Sequence, residues 1–176
     1  FYGPKIDLHV KDAIGRRWQL STIQVDFAQP DNFDLQFVDS NNKRVKPVMI
    51  HRALLGSIER FTGILIENYA GEFPGWLSPV QVKVLTIGDV SNYLNKLTKS
   101  LKGFRYEVDD RNLRLGEKLH DASKEKVPIT IIVGEKDELS NTLAINIRSQ
   151  DNQQNVKYED AIKQIKANLK TPIFKI

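Results

Sequence analysis

An arginine flanked by small residues is the strongest chemical feature of the sequence. Arg60 lies in a segment of helical periodicity, with Gly56 one turn before it and Gly63 nearly one turn after it. Residues three or four apart share a helix face, so this arginine has missing side chains on both sides. The space suits a phosphate or the face of an adenine ring. The glycines would equally allow close helix–sheet packing around a structural ion pair, and the spacing leaves both interpretations open.

A histidine precedes that arginine at the end of an apolar run. His51 follows residues 48–50 and could be a zinc ligand. A catalytic zinc site needs about three protein ligands, with a fourth position left open to substrate. His9 and His120 do not stand at a recognisable ligand spacing from it. From spacing alone, a solvated or hydrogen-bonded histidine is the simpler interpretation.

Other sources of chemistry are weaker or absent in the sequence. Tyr2 and Lys5 precede a strand, where a hydroxyl and an ammonium could bind a ligand or could equally be surface groups. There is no glycine-rich phosphate loop of the Walker or dinucleotide type. Cysteine is absent, which excludes disulfides, zinc–thiolate sites and thiol nucleophiles in this chain.

Length and composition limit the kind of protein that these residues can serve. The chain has 176 residues, of which 40% are hydrophobic and 27% charged, which allows one domain or two small ones. No stretch approaches the ~20 apolar residues of a membrane span, and the start does not resemble a signal peptide, so we expect a cytoplasmic protein. Since Met49 is the only methionine and the chain begins at Phe1, we expect it to belong to a longer protein.

The charge is unevenly distributed along the chain. Residues 1–78 hold 9 basic and 9 acidic side chains, whereas residues 79–176 hold 17 and 13, so the net charge of +4 lies in the second half. A basic surplus favours an anionic partner, and nucleic acid is the first candidate. A lysine-rich solvated surface would give the same balance.

The hydrophobic pattern of the first half indicates an antiparallel sheet followed by a helix. Residues 17–27 change the phase of their apolar positions, which a bulge near Ser21 and Thr22 would reconcile. That bulge places Gln19 and Gln24 on one polar face. The predicted elements are strands over 5–11, 17–27, 33–37 and 45–50 and an amphipathic helix over 54–69.

The second half alternates strands with helices, which is typical of a small α/β domain with mostly parallel strands. A segment rich in proline and glycine, Gly71 to Pro79, separates it from the first half. We therefore predict domains at 1–78 and 79–176. The predicted elements are strands over 80–87, 104–108, 128–133 and 143–147, and helices over 90–101, 115–122 and 158–169.

Several motifs in one order resemble the threonyl-tRNA synthetases. The resemblance covers essentially the whole chain and implies an α/β (α+β) fold. It would comprise part of the antiparallel sheet of a class II synthetase core, with the helix of its third signature, and then a small α/β anticodon-binding domain with a mixed sheet. The motifs are FYGPKID at 1–7, WQ at 18–19, TIQVDF at 22–27, PVMIHRALLGSIERF at 47–61, ENYAG at 67–71, WLSPVQV at 76–82, DRN at 110–112 and the segment 127–134.

The resemblance assigns chemistry to the first half. Arg60 matches the arginine of the third class II signature, which binds ATP beside the adenine, and Lys5 joins it as a catalytic residue. His51 matches one of three zinc ligands, and the zinc of this family holds the amino and hydroxyl groups of threonine. Such a metal distinguishes threonine from valine, because only a hydroxyl can complete its coordination.

The remaining implied pocket residues are polar side chains of the predicted sheet and helix start. Gln19 and Gln24 match nucleotide-binding positions. The implied threonine-binding residues are Tyr2, Gln24 and Ser57. The cofactors implied are zinc, with its other ligands outside this chain, and magnesium bound with ATP.

In the second half the resemblance implies recognition of the anticodon of threonine tRNA. Asn112 matches an anticodon contact of the family. Asp137 replaces a glutamate that reads a base in some relatives, and its side chain is shorter. Asn146 stands where relatives carry a base-contacting arginine, and Arg148 lies on the same strand face two residues later. The sequence therefore predicts anticodon contacts at Asn112, Asp137 and Arg148.

Together these features predict part of a threonine–tRNA ligase that activates threonine with ATP and transfers it to threonine tRNA. A homodimer is expected for the intact enzyme. The first two class II signatures are absent from the sequence, so we expect this chain alone to be inactive. Two alternatives remain, a non-catalytic tRNA-binding module and the equivalent part of a glycyl, prolyl or histidyl relative. His51 argues against the latter, because those enzymes use no zinc-held amino acid.

Overall fold

A computed structural model describes residues 2–173, and of Tyr2 only the backbone. The chain forms two compact units, Phe1–Tyr69 and Ala70–Ile176. The division falls nine residues before the predicted boundary at Ser78. In the described part of the chain, no helix is both long and apolar enough to cross a membrane.

The first unit is built around a three-stranded antiparallel sheet of order β1–β2–β5. The short strands β3 and β4 pair separately with each other. In chain order its elements are β1 (Tyr2–Lys11), β2 (Arg17–Asp26), α1 (Ala28–Asn32), β3 (Phe37–Val38), β4 (Arg44–Val45), β5 (Met49–Ala53) and α2 (Ile58–Asn68).

The predicted third and fourth strands of this unit are wrong. The chain after β2 turns into α1, because the Asp26 carboxylate accepts hydrogen bonds from the backbone N–H groups of Ala28 and Gln29 and Pro30 suits a first helical turn. Only residues 37–38 of the alternating stretch 33–37 are extended. The fourth strand is split into β4 and β5, because Pro47 lies between them and has no N–H to donate to a ladder.

The helix of the first unit is shorter than predicted. It begins after Ser57, whose Oγ accepts a hydrogen bond from the backbone N–H of Arg60 at 3.2 Å. Just before that cap, Gly56 has φ +69°, a conformation that favours glycine. The helix ends at Asn68, ahead of Ala70 and Gly71, which also have positive φ. The apolar periodicity over 54–69 thus extends beyond the helical segment.

The predicted irregularity in β2 is present close to where the sequence placed it. Leu8 pairs with Ser21, but the next residue, His9, pairs with Gln19, so Leu20 is the extra residue of the second strand. The shift restores one polar face, since Gln19 and Gln24 both lie opposite odd-numbered residues of β1.

The first unit has almost no buried core. Pro30 is the only residue between 3 and 69 that the structure shows as buried. On one face of the sheet, Ile6, Leu8 and Ile50 are each more than half exposed. Lys5, Asp7 and Gln24 occupy the alternate positions of these strands and therefore lie on the other face.

The second unit is a five-stranded mixed sheet of order β10–β9–β8–β6–β7 with helices, which confirms the predicted fold class. Strands β7, β6 and β8 are parallel, and β9 and β10 are antiparallel to their neighbours. Its elements are β6 (Val82–Ile87), α3 (Ser91–Ser100), β7 (Tyr106–Asp109), α4 (Leu115–Lys124), β8 (Ile129–Gly134), α5 (Glu135–Ser140), β9 (Thr142–Ile147), β10 (Gln153–Lys157) and α6 (Tyr158–Leu169).

The largest buried cluster of the second unit lies on one face of its sheet. Alternate residues of β6, β8 and β9 pack there against α3 and α6. The opposite residues of β9, including Ala144 and Asn146, are half-buried. The sequence missed α5, whose first turn is acidic, and β10, whose residues Gln153–Lys157 are mostly polar and lack the apolar alternation of a strand.

The segment after Tyr69 is held to the second unit through its backbone carbonyls. Arg105 donates to the carbonyl oxygens of Trp76, Ser78 and Pro79. Gln81 donates through Nε2 to the Gly75 carbonyl at 2.8 Å. These bonds explain why the proline- and glycine-rich segment 71–79 belongs to the second unit.

Candidate functional site

A row of three polar residues crosses the sheet of the first unit. Lys5 of β1 lies opposite Gln24 of β2, and Gln24 lies opposite His51 of β5. Directly opposed residues of neighbouring antiparallel strands have side chains on the same face. The structure therefore brings together three residues that are separated by up to 46 positions in the sequence.

A second row on the same face is tied together by hydrogen bonds. Gln19 donates through Nε2 to Asp7 Oδ1 at 2.7 Å and to Thr22 Oγ1 at 2.9 Å. Thr22 also donates to Asp7 Oδ1 at 2.7 Å, and Lys5 Nζ lies 3.2 Å from Asp7 Oδ2. The hydrogen bond from Thr22, and after it Lys5, hold the pKa of Asp7 below its usual value. The network fixes the Gln19 amide on this face.

His51 is held by a carboxylate at the end of the neighbouring strand. Its Nε2 lies 2.7 Å from Asp26 Oδ2. The pKa of Asp26 is lowered, first by the backbone hydrogen bond from Gln29 and next by His51. When the neutral imidazole donates through Nε2 to this carboxylate, Nδ1 keeps its lone pair.

That arrangement fits a metal ligand, because a ligating histidine usually donates its other ring nitrogen to a carboxylate or carbonyl. His51 alone does not complete a metal site. Within residues 2–173, the structure shows no cluster of three or more histidine, cysteine or acidic side chains able to hold a metal ion. The chain thus offers one of the roughly three protein ligands that a catalytic zinc site needs.

The guanidinium of Arg60 lies against the backbone of β2. Its Nη2 donates to the carbonyl oxygen of Gln19 at 2.7 Å. A Cβ at Gly56 would lie 2.6 Å from that Nη2, so the glycine provides the space for the arginine itself. By contrast, the position of a Cβ at Gly63 is open.

Arg60 is exposed and forms none of the ion pairs seen in the described part of the chain. The interpretation as a structural ion pair is therefore not supported, and the positive charge is free to meet an anion. Ser57 caps the same helix through its Oγ. The side chain of Tyr2 lies outside the described part of the molecule.

The second unit has a cavity of about 540 Å³ at the carboxyl ends of β6 and β7. Ligands of open α/β sheets bind at this edge, outside the carboxyl ends of parallel strands. Asn112 is exposed and lines the cavity, and its side-chain amide makes no hydrogen bond within the described residues. The other polar lining residues are Thr86, Asp89, Ser91, Asp110, Arg111 and Lys118.

An ion-pair network that the sequence did not identify as functional fixes the loop carrying Asn112. Arg111 donates to both carboxylate oxygens of Asp109, at 2.8 and 2.7 Å, and to Asp121 Oδ2 at 2.7 Å. This bonding lowers the pKa of Asp109 to about 2. The acidic pair at 109–110 next to Arg111 was the available signal, but a polar loop has the same composition.

Buried Lys118 supports the same edge from α4. Its Nζ donates to the carbonyl oxygens of Thr86 at 2.8 Å and Asp109 at 3.1 Å. The ammonium thereby joins the ends of β6 and β7. The sequence did not indicate that Lys118 is buried and bound to the strand ends. It stands between apolar residues at 115 and 119, but a lysine in a helix is usually solvated.

Asp137 lies at the carboxyl end of β8, at the start of α5. Its Oδ2 accepts a hydrogen bond from the backbone N–H of Gly134 at 3.0 Å. The carboxylate is therefore partly used in capping a short helix, and one oxygen remains. Asn112 and Asp137 both follow the carboxyl ends of parallel strands.

Arg148 does not join them. It follows β9, and its backbone N–H donates to Pro128 O at 2.9 Å beside the amino end of β8. Its guanidinium donates to the carbonyl oxygens of Lys126 and Phe73. Arg148 thus lies at the opposite edge of the sheet from Asn112.

Two domain families match the chain. Residues 81–168 match the family described as the anticodon binding domain. Residues 1–69 match the core domain of class II tRNA synthetases for G, H, P, S and T.

Relatives that match across both units include threonine–tRNA ligases. The ligase of Clostridium tetani (strain Massachusetts / E88) is 53% identical over 85% of this chain, which corresponds to 24% of the relative. That of Clostridium botulinum (strain Okra / Type B1) is 46% identical over 97% of this chain and 27% of the relative. The chain thus spans about a quarter of the length of these curated relatives.

Solved structures show the same likeness. The RNA binding domain of threonyl-tRNA synthetase from Cryptosporidium parvum Iowa II matches with a TM-score of 0.79 and 30% identity, covering 96% of this chain and 44% of that one. A putative threonyl-tRNA synthetase from Aeropyrum pernix matches with a TM-score of 0.58 and 29% identity, covering 96% of this chain and 42% of that one.

Proposed function

Because the chain belongs to the anticodon-binding domain family and matches threonine–tRNA ligases across a class II core segment as well, we propose that it serves in charging threonine tRNA. The observation that carries the proposal is the presence of two sites on one chain. One is the polar sheet face with Lys5, Gln24 and His51 in a row. The other is the edge cavity carrying Asn112.

The first unit supplies part of the site that activates threonine with ATP. The unpaired charge of Arg60 binds the nucleotide and stabilises negative charge that develops on its phosphates, with Lys5 adding a second cation. Gln19 and Gln24 orient the nucleotide and, for Gln24, threonine as well. Tyr2 and Ser57 complete the part of the site that binds threonine. Positioning and charge stabilisation do this work without a proton relay.

His51 is one ligand of a zinc ion, and Asp26 holds its ring. Zinc bound there would supply a Lewis acid for the polar groups of threonine. In the tautomer that donates through Nε2 to Asp26, His51 offers Nδ1 to the metal. Magnesium enters with ATP. The intact ligase is a cytoplasmic homodimer.

The second unit reads the anticodon. Its edge cavity is large enough for a base splayed from the anticodon stack, and the Asn112 amide offers both donors and an acceptor to a base edge. Asp137 is a second candidate contact through its remaining oxygen. We do not assign base reading to Arg148, because its guanidinium is bound to backbone carbonyls at the other edge.

A non-catalytic tRNA-binding module is the second candidate function. It is favoured by the distribution of the core, which lies entirely within residues 82–169. The two candidates share anticodon binding and differ in whether the first unit contributes. Relatives named threonine–tRNA ligase favour threonine over the other amino acids of the class II family.

The test is binding of the 176-residue chain to a threonine tRNA transcript at two salt concentrations. A matched transcript with altered second and third anticodon bases is the control. We expect weaker binding to the altered transcript at both salt concentrations. Equal binding to both that fades steeply with salt would show a basic surface only and would overturn the anticodon proposal.

A further inference from the structure

A second cavity of the second unit lies away from Asn112, at the opposite edge of the sheet. Its volume is about 310 Å³. It is enclosed by the end of α4, the start of β8, the end of β9 and the segment preceding β6. Its polar lining residues are Glu72, Ser123, Lys126, Thr130, Asn146 and Arg148.

The two cations of this cavity both donate to backbone carbonyl oxygens. Lys126 Nζ donates to the carbonyl oxygen of Ala70, and Arg148 donates to those of Phe73 and Lys126. The one carboxylate of the lining, that of Glu72, has its Oε1 4.0 Å from Lys126 Nζ. Two positive charges against one negative charge leave the cavity electropositive.

Thr130 contributes an unsatisfied hydroxyl to the cavity. The residue is 6% exposed, and its side chain forms no hydrogen bond within the described residues. Every fully enclosed side-chain polar atom in that part of the chain has a hydrogen-bond partner. Because the Thr130 hydroxyl has none, it is not fully enclosed, and the open space beside it is the cavity. Asn146 lies directly opposite Thr130 across the strands, and its amide is unpartnered within the same residues.

We propose that this cavity binds a phosphodiester of the RNA whose anticodon the second unit reads, an inference that rests on the proposed function. The hydroxyl, the amide and two cations are donors, and a phosphate offers only acceptors. The last carbonyls of α4 already accept backbone N–H groups from residues 125–127, so the helix end adds little opposing charge.

The cavity and Asn112 lie at opposite ends of α4. Its 10 residues span about 15 Å at 1.5 Å per residue, so a single base cannot contact both. A phosphate carries no base identity, so this contact positions the RNA without reading its sequence. Arg148 acts here through its charge, not by contacting a base.

Thr130→Val is the sharpest test because it removes a hydroxyl without changing the shape of the side chain. The stability of the chain is expected to be unchanged or higher, since the hydroxyl has no protein partner. Binding is expected to weaken on the order of tenfold, the effect of losing one hydrogen bond to a charged group. The loss should be equal for the matched and the altered transcript. Unchanged affinity, or a loss confined to the matched transcript, overturns the inference.

Lys126→Gln tests the charge, with Lys99→Gln as the matched control on exposed α3. For Lys126→Gln, the slope of log affinity against log salt is expected to fall by roughly 0.7 to 0.9. For Lys99→Gln it should not change, and equal slopes for both variants would overturn the phosphate assignment.

The two proposals fail in different ways. If the parent chain binds both transcripts equally, the proposal of anticodon reading is overturned. The effect of Thr130→Val on that sequence-independent binding still tests the phosphate site. Absence of binding to either transcript overturns both.

Discussion

The imidazole of His51 and the carboxylate of Asp26 are joined across neighbouring strands, with 2.7 Å between Nε2 and Oδ2. Asp26 ends β2, and its Oδ1 accepts the first backbone N–H groups of α1. One carboxylate therefore both starts a helix and orients the histidine. The chain therefore turns from β2 into α1 at the same residue that orients the proposed zinc ligand, His51.

Replacing His51 separates the two uses of Asp26. In His51→Ala, the pKa of Asp26 should rise towards 3.8 but remain below it, because the backbone bonds from Gln29 and Ala28 persist. A lowered carboxyl pKa stabilises the fold above the unfolded pKa, and that contribution is lost as pH falls through the folded value. Carboxyl ¹³C NMR titration measures the shift. An Asp26 pKa that does not move would show that the histidine bond is not formed in solution.

Two glycines of the first unit should respond oppositely to alanine. Gly56→Ala requires φ +69° in a residue with a Cβ and places that Cβ 2.6 Å from Arg60 Nη2. We expect a loss of about 1–2 kcal/mol from the backbone alone. Gly63→Ala, in open space within α2, should gain about 0.5–1 kcal/mol. Hydrogen exchange of the α2 amides measures both, and changes of the same sign would contradict the structure.

Arg111 should set the acid stability of the second unit. Asp109 has a pKa of about 2 because Arg111 binds it, so its stabilising contribution is complete above about pH 4 and is lost between about pH 4 and 2. In Arg111→Gln the pKa of Asp109 rises, and the midpoint of acid unfolding should move to higher pH. Arg114→Gln, a nearby exposed arginine without an ion pair among the described residues, is the control. Identical midpoints would count against the network.

The second unit was predicted well because its apolar residues are buried. Strands that are covered on both faces carry apolar residues at alternate or consecutive positions. Val82, Val84 and Ile131 are such residues, and each is fully buried. In the first unit the same kind of pattern misled, because residues such as Phe33 and Phe37 are at least half exposed. Local signals, the Asp26 cap and Pro47, decided the structure there.

The site was predictable where one face or one motif determined it. Gln19 and Gln24 follow from the bulge, whereas the row with Lys5 and His51 depends on the strand order β1–β2–β5, which the sequence did not predict. Cross-element bonds gave no sequence signal. Lys118 reaching the ends of β6 and β7 depends on the packing of α4, and the position of Arg148 depends on the carbonyl of Phe73.

Removing the buried ammonium should destabilise the second unit. Lys118→Met leaves the carbonyls of Thr86 and Asp109 without this donor, at about 1–3 kcal/mol for each buried acceptor that loses its partner. Chemical denaturation measures the free energy of unfolding. Lys124→Met, on the exposed side of the same helix, is the control and should stay within about 0.5 kcal/mol. Equal effects would mean that Lys118 does not hold the strand ends.

Asn112 should control discrimination between anticodons and not overall RNA affinity. Asn112→Ala removes an exposed amide from a loop whose backbone is fixed by Arg111, so folding should be unaffected. Binding to the matched threonine tRNA transcript should weaken about tenfold or more, as for a lost contact to a base edge, while the altered transcript binds as before. Asn95→Ala on α3 makes the same change on another surface and should alter neither. Equal weakening on both transcripts would mean that Asn112 contacts the RNA backbone, leaving the edge cavity without a base reader.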